Sequence, residues 1–160
     1  MRGGSLPPAL LSAALGLALA YVPPRTRYAG LLALWIVAPL SALVSLGPHW
    51  EEAVFLACWA GVILAAASVH LPSGLNTGAA IGLALAIAVL AGCVTAITGS
   101  VPTLLMALPW VLVTIPAAWL IAQGRGIAVK IVSSWLIAIA LLSAALPLAP
   151  IPGYEPDHLE

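Results

Sequence analysis

Residues 78–97, GAAIGLALAIAVLAGCVTAI, contain no charged side chain and are rich in alanine and glycine. A helix needs about 20 mostly apolar residues to cross the hydrocarbon core of a bilayer, and this stretch is long enough. Small residues allow helix backbones to approach closely, so we expect this helix to lie in the middle of a bundle. The stretch therefore predicts a helical membrane protein.

Five further apolar stretches accompany the first, and glycine or proline marks their boundaries. The connections are short, so consecutive helices are expected to pack as antiparallel hairpins. The prediction is an all-α polytopic membrane bundle of six transmembrane helices within residues 1–146, followed by a proline-rich acidic tail at 147–160. The predicted spans are residues 6–22, 28–46, 50–70, 78–97, 102–122 and 127–146.

The composition agrees with a membrane location and excludes several classes of protein. Hydrophobic residues make up 63% of the 160 residues and charged residues only 6%, whereas a soluble domain has roughly 25% charged residues. The formal net charge is +0, which argues against a nucleic-acid-binding protein. Two cysteines in apolar stretches, Cys58 and Cys93, do not make a disulfide scaffold or a cysteine zinc module.

The first span has a second interpretation, as a cleavable secretory signal. Arg2, an apolar run and the small residues at 18–20 fit that pattern. Pro7 and Pro8 would be unusual at the start of a signal's apolar region. We therefore favour a retained first helix.

The basic residues are distributed unevenly between the two sides of a six-helix bundle. Arg25, Arg27, Arg125 and Lys130 fall on one side, and only Arg2 falls on the other. The positive-inside rule places the first side in the cytoplasm and both termini on the opposite side. The Ala, Gly and Pro content and the preference for Arg over Lys favour a GC-rich bacterium, hence the bacterial inner membrane. The side without the basic cluster holds all the acids: Glu51, Glu52, Glu155, Asp157 and Glu160.

Small residues at four-residue spacing predict the helix-packing positions Gly16, Gly61, Gly78 and Gly82. Such stripes serve either dimerisation or packing within one chain. We favour internal packing in a chain with six helices, and a homo-oligomer remains an alternative.

Pro109 and Pro116 lie seven residues apart in the fifth span and therefore share one helical face. Each removes an amide donor and frees a carbonyl oxygen. Broken helices form substrate sites in transporters, although most membrane prolines only kink a helix. The pair is thus a candidate broken-helix face.

Residue types that carry catalysis are sparse. No ionisable residue falls near the middle of a span, and no nucleophile, metalloprotease or phosphate-loop motif is present. Ser133 and Ser134 are hydroxyls with no neighbouring base in the sequence. We expect no catalytic residue, no bound cofactor and no activity in this chain alone. A lipid-soluble cofactor site, lined by tryptophans and close to His70, remains a weaker alternative.

The tail combines proline with Tyr154, Glu155 and Asp157, a composition that favours docking to a partner surface. Its acids could also join His49, Glu51 and Glu52 at a metal ion. The simpler interpretation is that the two glutamates favour the positive end of a helix dipole, so no metal site is predicted.

Three functions fit these patterns. The preferred one is a non-catalytic integral membrane subunit that anchors or stabilises a larger assembly, with the lipid bilayer and other membrane subunits as partners. The second is a small transporter, or the membrane subunit of one, for a neutral or apolar solute. The third is a subunit that lines a quinone or pigment site.

Overall fold

A computed structural model of the chain describes residues 6–44, 47–72, 74–98 and 101–146. Throughout these ranges the regular structure is helical and contains no β-strand, so the predicted all-α class is confirmed. Two 3-10 segments occur, Pro48–Trp50 before α3 and Leu108–Val113 between α5 and α6. The α-helices are α1 Leu6–Leu19, α2 Pro24–Ala42, α3 Glu51–Ser68, α4 Thr77–Thr98, α5 Val101–Ala107, α6 Thr114–Ala122 and α7 Gly126–Ala145.

The helices form six rods, because α5, its following 3-10 segment and α6 make one continuous run. The second rod starts earlier than predicted, at Pro24 rather than Tyr28. Proline suits the first helical position, since its fixed φ is helical and its missing amide hydrogen is not needed there. Arg25 and Arg27 consequently lie in the first turn of α2 and not in a loop.

Four helical segments are long and apolar enough to cross a membrane: Glu51–Ser68, Thr77–Ile97, Pro102–Ala122 and Gly126–Ala145. Pro7–Leu19 is apolar but shorter, and α2 has two arginines in its first turn. These four segments support an integral membrane protein. The tail, including Tyr154, Glu155 and Asp157, lies outside the described residues.

The centre of the bundle is α1, and not α4 as expected from the small residues at 78–97. Leu11, Leu15 and Leu19 have no exposed surface, and α1 contacts every other α-helix. A helix that is hydrophobic on all sides is stable only where it is enclosed, and α1 is apolar around its circumference except for Ser12. Most of α1 is thus enclosed by the five other rods, each of which is longer than its 14 residues.

The closest helix pair is α2 with α4, and the two helices run in the same direction. Thr26 Oγ1 lies 3.4 Å from Thr77 Oγ1 near the start of both helices. Ser41 Oγ lies 3.3 Å from the Ala88 carbonyl oxygen, near the end of α2 and in the middle of α4. A Cβ placed on Gly92 would lie 2.5 Å from the Ala38 carbonyl oxygen, so the two backbones are close there.

Candidate functional site

Polar and basic side chains converge at one end of the bundle, which we call the basic end. It is the end at which α1 stops and α2, α4 and α7 start, and hydrogen bonds tie these termini together. The Tyr21 hydroxyl donates to the Gly126 carbonyl oxygen at 3.0 Å and so joins the end of α1 to the start of α7. The basic residues at this end are Arg25, Arg27, Arg125 and Lys130.

Arg27 caps the end of α1. Its Nε donates to the Leu19 carbonyl oxygen at 3.2 Å, and its Nη2 donates to those of Ala20 and Val22 at 3.1 and 3.2 Å. The last carbonyls of a helix have no partner within the helix, and a positive charge also favours the negative end of the helix dipole. The sequence interpretation had treated Arg27 only as a loop cation. Its position a few residues past an apolar helix end was a signal for a cap.

A second polar cluster joins the end of α3 to α7. His70 Nε2 lies 3.1 Å from Ser133 Oγ and 3.3 Å from Ser134 Oγ. The two hydroxyls therefore have a neighbouring imidazole, although the sequence interpretation found no base for them. The described acids, Glu51 and Glu52, lie in the first turn of α3, at the other end of that helix. A carboxylate that would orient the imidazole for catalysis is thus not part of the described cluster.

An apolar groove of about 570 Å³ opens on the outer surface of the bundle between the fifth rod and α7. We call it the lateral groove. The side chains that line it are apolar, and α1 forms its floor, so the central helix is accessible from outside along this line. The lining residues are Ala9, Leu10, Ala13 and Leu17 of α1, Met106, Ala107, Trp110 and Val113 of the fifth rod, and Val132 and Leu136 of α7.

The predicted broken-helix face lies on the outside of the bundle. Pro109 and Pro116 are both exposed, although a 3-10 segment does interrupt the helix at Leu108–Val113. On the inner side, Thr114 Oγ1 donates to the Val111 carbonyl oxygen at 2.6 Å. A Cβ on Gly16 would lie 2.7 Å from that same oxygen. The break is therefore closed by contact with α1.

The four predicted packing glycines fall in two environments. Gly16 and Gly61 are buried at close contacts, and a Cβ on Gly61 would lie 3.0 Å from Leu11 Cδ2. Gly78 and Gly82 are exposed, and a Cβ on Gly82 would meet no atom within 4 Å. The side of α4 that packs inward carries a row of alanines at the same four-residue spacing and one glycine, Gly92, that the pattern did not indicate. These residues are Ala80, Ala84, Ala88 and Gly92.

The interior holds few polar atoms, and most are satisfied locally. Ser12 Oγ donates to the Pro8 carbonyl oxygen at 2.9 Å, and Thr95 Oγ1 donates to that of Ala91 at 2.9 Å. The indole nitrogen of Trp59 is the exception, because it is buried without a hydrogen-bond partner.

Among the described residues, no three His, Cys, Asp or Glu side chains come together to hold a metal ion. What the geometry offers is a polar cluster at the basic end and an apolar groove on the flank. No family model, curated protein or solved structure matches this chain.

Proposed function

We propose that the chain is a non-catalytic integral membrane subunit that anchors or stabilises a larger membrane assembly. The observation that carries this proposal is the lateral groove, where the otherwise enclosed central helix α1 is accessible from the side of the bundle. The occupant we propose for it is an apolar transmembrane helix of a partner subunit.

The floor of the groove has the residue pattern that close helix packing requires. Ala9, Ala13 and Leu17 recur every fourth residue and lie on one face of α1, with two small side chains that leave room for another backbone. These residues extend over about 12 Å of helix, roughly two turns. A partner helix would pack against them by dispersion, since lipid supplies no hydrophobic drive between helices.

In the same proposal, all six rods cross the membrane, and the basic end faces the cytoplasm of a bacterium. The excess of arginine and lysine at that end supports this orientation through the positive-inside rule. Both termini then lie on the opposite side. Labelling with a membrane-impermeant maleimide tests it, using a variant without native cysteines that carries Gln123→Cys, in the exposed connection at the basic end, or His49→Cys. In intact spheroplasts, the reagent should label only the protein that carries His49→Cys.

The groove is tested by filling its floor. Ala13→Phe should abolish co-purification of the partner in mild detergent, because the ring takes the space of the partner backbone. Ala86→Phe, on the exposed side of α4, is the matched control and should leave the complex intact. The affinity tag for this purification is inserted in the connection at Gly124, so that the C-terminal tail is unchanged.

Val132→Trp narrows the same groove from the α7 wall and covers the case in which Ala13→Phe does not fold. Both variants must elute as folded, monodisperse protein. A wild-type chain that purifies as a stable species with no partner contradicts the proposal, and so does a complex that is indifferent to both groove variants.

The alternative of a quinone or pigment site has one specific observation in its favour, since Trp110 and Met106 line the groove. An absorption spectrum and a lipid extract of the purified protein without chromophore or quinone would remove it. Transport of a neutral solute has less support, because α1 occupies the centre of the bundle. Flux into proteoliposomes tests that alternative.

A further inference from the structure

The polar cluster between α3 and α7 lies at the basic end, and three of its side chains are on the surface. His70 follows the end of α3, and its Nε2 is level with Ser133 and Ser134, about 10 Å along α7 from that helix's first residue. The start of α7 therefore extends beyond the end of α3. Lys130 lies on this extended part, one turn before Ser134 and on the same helical face. Lys130, His70 and Ser134 are all exposed.

The cluster contains more hydrogen-bonding groups than its internal hydrogen bonds use. Nε2 of an imidazole makes one hydrogen bond, as donor or as acceptor, yet two hydroxyls lie within reach of it. Ser133 Oγ also donates to the Lys130 carbonyl oxygen at 2.9 Å, so that hydroxyl is satisfied within its own helix. When Nε2 carries the hydrogen, the imidazole donates to a serine oxygen, and the Ser134 hydroxyl keeps its own hydrogen for an acceptor outside the protein.

The charge around the cluster is positive and unbalanced. Lys130 adds three N–H donors and a full charge. The described acids, Glu51 and Glu52, are in the first turn of α3, about 27 Å from the other end of that helix. An exposed set of donors with an uncompensated cation at a membrane surface is suited to an anion with several acceptor oxygens.

We propose that Lys130, Ser134 and His70 bind the phosphate of an anionic phospholipid headgroup in the leaflet at the basic end. Lys130 supplies the charge, Ser134 donates a hydrogen bond, and the contacts of His70 position that hydroxyl. A lipid is favoured over free phosphate because exposed apolar side chains lie beside the cluster on α7, among them Ile131 and Trp135, which are 58% and 72% exposed. The proposal concerns a different surface from the groove and does not depend on a partner subunit.

The test is lipid binding to the full-length protein in detergent, followed by native mass spectrometry. Phosphatidylglycerol and phosphatidylcholine with identical acyl chains are titrated in parallel. Lys130→Gln should weaken phosphatidylglycerol binding about fivefold, since one basic residue near a membrane surface contributes roughly that factor. Ser134→Ala should weaken it about threefold, and Lys130→Arg should restore it to within about twofold. Phosphatidylcholine carries the same phosphate together with a compensating choline charge, so it should bind more weakly than phosphatidylglycerol to the wild type and lose less affinity with Lys130→Gln.

Arg125→Gln is the matched control, because it removes one charge from the same end of the bundle but outside the cluster. If Arg125→Gln lowered the affinity for phosphatidylglycerol as much as Lys130→Gln does, the lipid would be attracted by the general charge of the basic end, and the proposal would be overturned. Inorganic phosphate that displaces phosphatidylglycerol at millimolar concentration would identify a soluble ligand and also overturn it. Circular dichroism and size-exclusion profiles matching the wild type show that each variant is folded.

Discussion

At the scale of single residues, Arg27 shows how a charge at the end of a helical bundle can serve the fold. Its guanidinium bonds the carbonyl oxygen of Leu19 at the end of α1 and those of Ala20 and Val22 just beyond it. Arginine suits this position because it presents several donors in a fixed planar arrangement. The central helix is thereby held to the start of α2.

We expect Arg27→Gln to lower the free energy of unfolding by about 2 kcal/mol, because hydrogen bonds from a charged group are lost and the carbonyls remain partly buried. SDS titration of the protein in mixed micelles measures this change. Arg25→Gln removes an equal charge from the same turn, where the side chain is exposed, and should stay within about 0.5 kcal/mol. If both variants lost the same free energy of unfolding, the total charge of this end would determine stability and the cap on α1 would not.

At the scale of helices, the pairing of α2 with α4 depends on where glycine lies. Gly92 faces α2, and a Cβ there would overlap Ser41 Oγ and lie 2.8 Å from Ser41 Cβ. Gly82, on the same helix, faces outward with open space around it. One residue type thus has opposite roles on two sides of α4.

Substitution by alanine should separate these roles. Gly92→Ala is expected to destabilise the protein by about 2 kcal/mol, since an added methyl group at a tight contact forces the backbones apart. Gly82→Ala should instead stabilise it by about 0.5 kcal/mol, because alanine favours a helix over glycine. Thermal unfolding in detergent gives the sign of each change. A stabilising Gly92→Ala would show that the two helices are not in close contact there.

At the scale of the whole molecule, the bundle is organised around its first helix. Leu15 has no exposed surface in the centre of the bundle, whereas Leu40 on α2 is 59% exposed. Core and surface leucines therefore differ in their protein contacts.

Leu15→Ala should lower the free energy of unfolding by about 3 kcal/mol, because it leaves a cavity that the surrounding helices cannot fill. Leu40→Ala should cost no more than about 0.5 kcal/mol, since detergent or lipid replaces the lost contacts at the surface. Comparing SDS titrations of the two variants checks the central position of α1. Similar losses at the two positions would contradict it.

Hydropathy, together with the glycines and prolines at segment boundaries, was enough to predict the helices themselves. A segment must be apolar over its whole length to cross a bilayer, and that requirement is local to the segment, so the all-α class could be read directly. Helix ends were predicted less well. Pro24 starts α2 because of first-turn geometry and not because the chain becomes apolar there.

The arrangement of the helices depended on contacts that no local pattern specifies. Residues 78–97 and α1 are both rich in small and apolar residues, and only the packing of all six rods places α1 in the centre. The same holds for the cluster of His70 with Ser133 and Ser134, whose members are about 60 positions apart in the chain. The sequence alone thus determined a helical membrane protein with its charges confined to the helix ends. The tertiary structure decided which faces meet, because complementary surfaces and close backbone contact between distant segments select the packing.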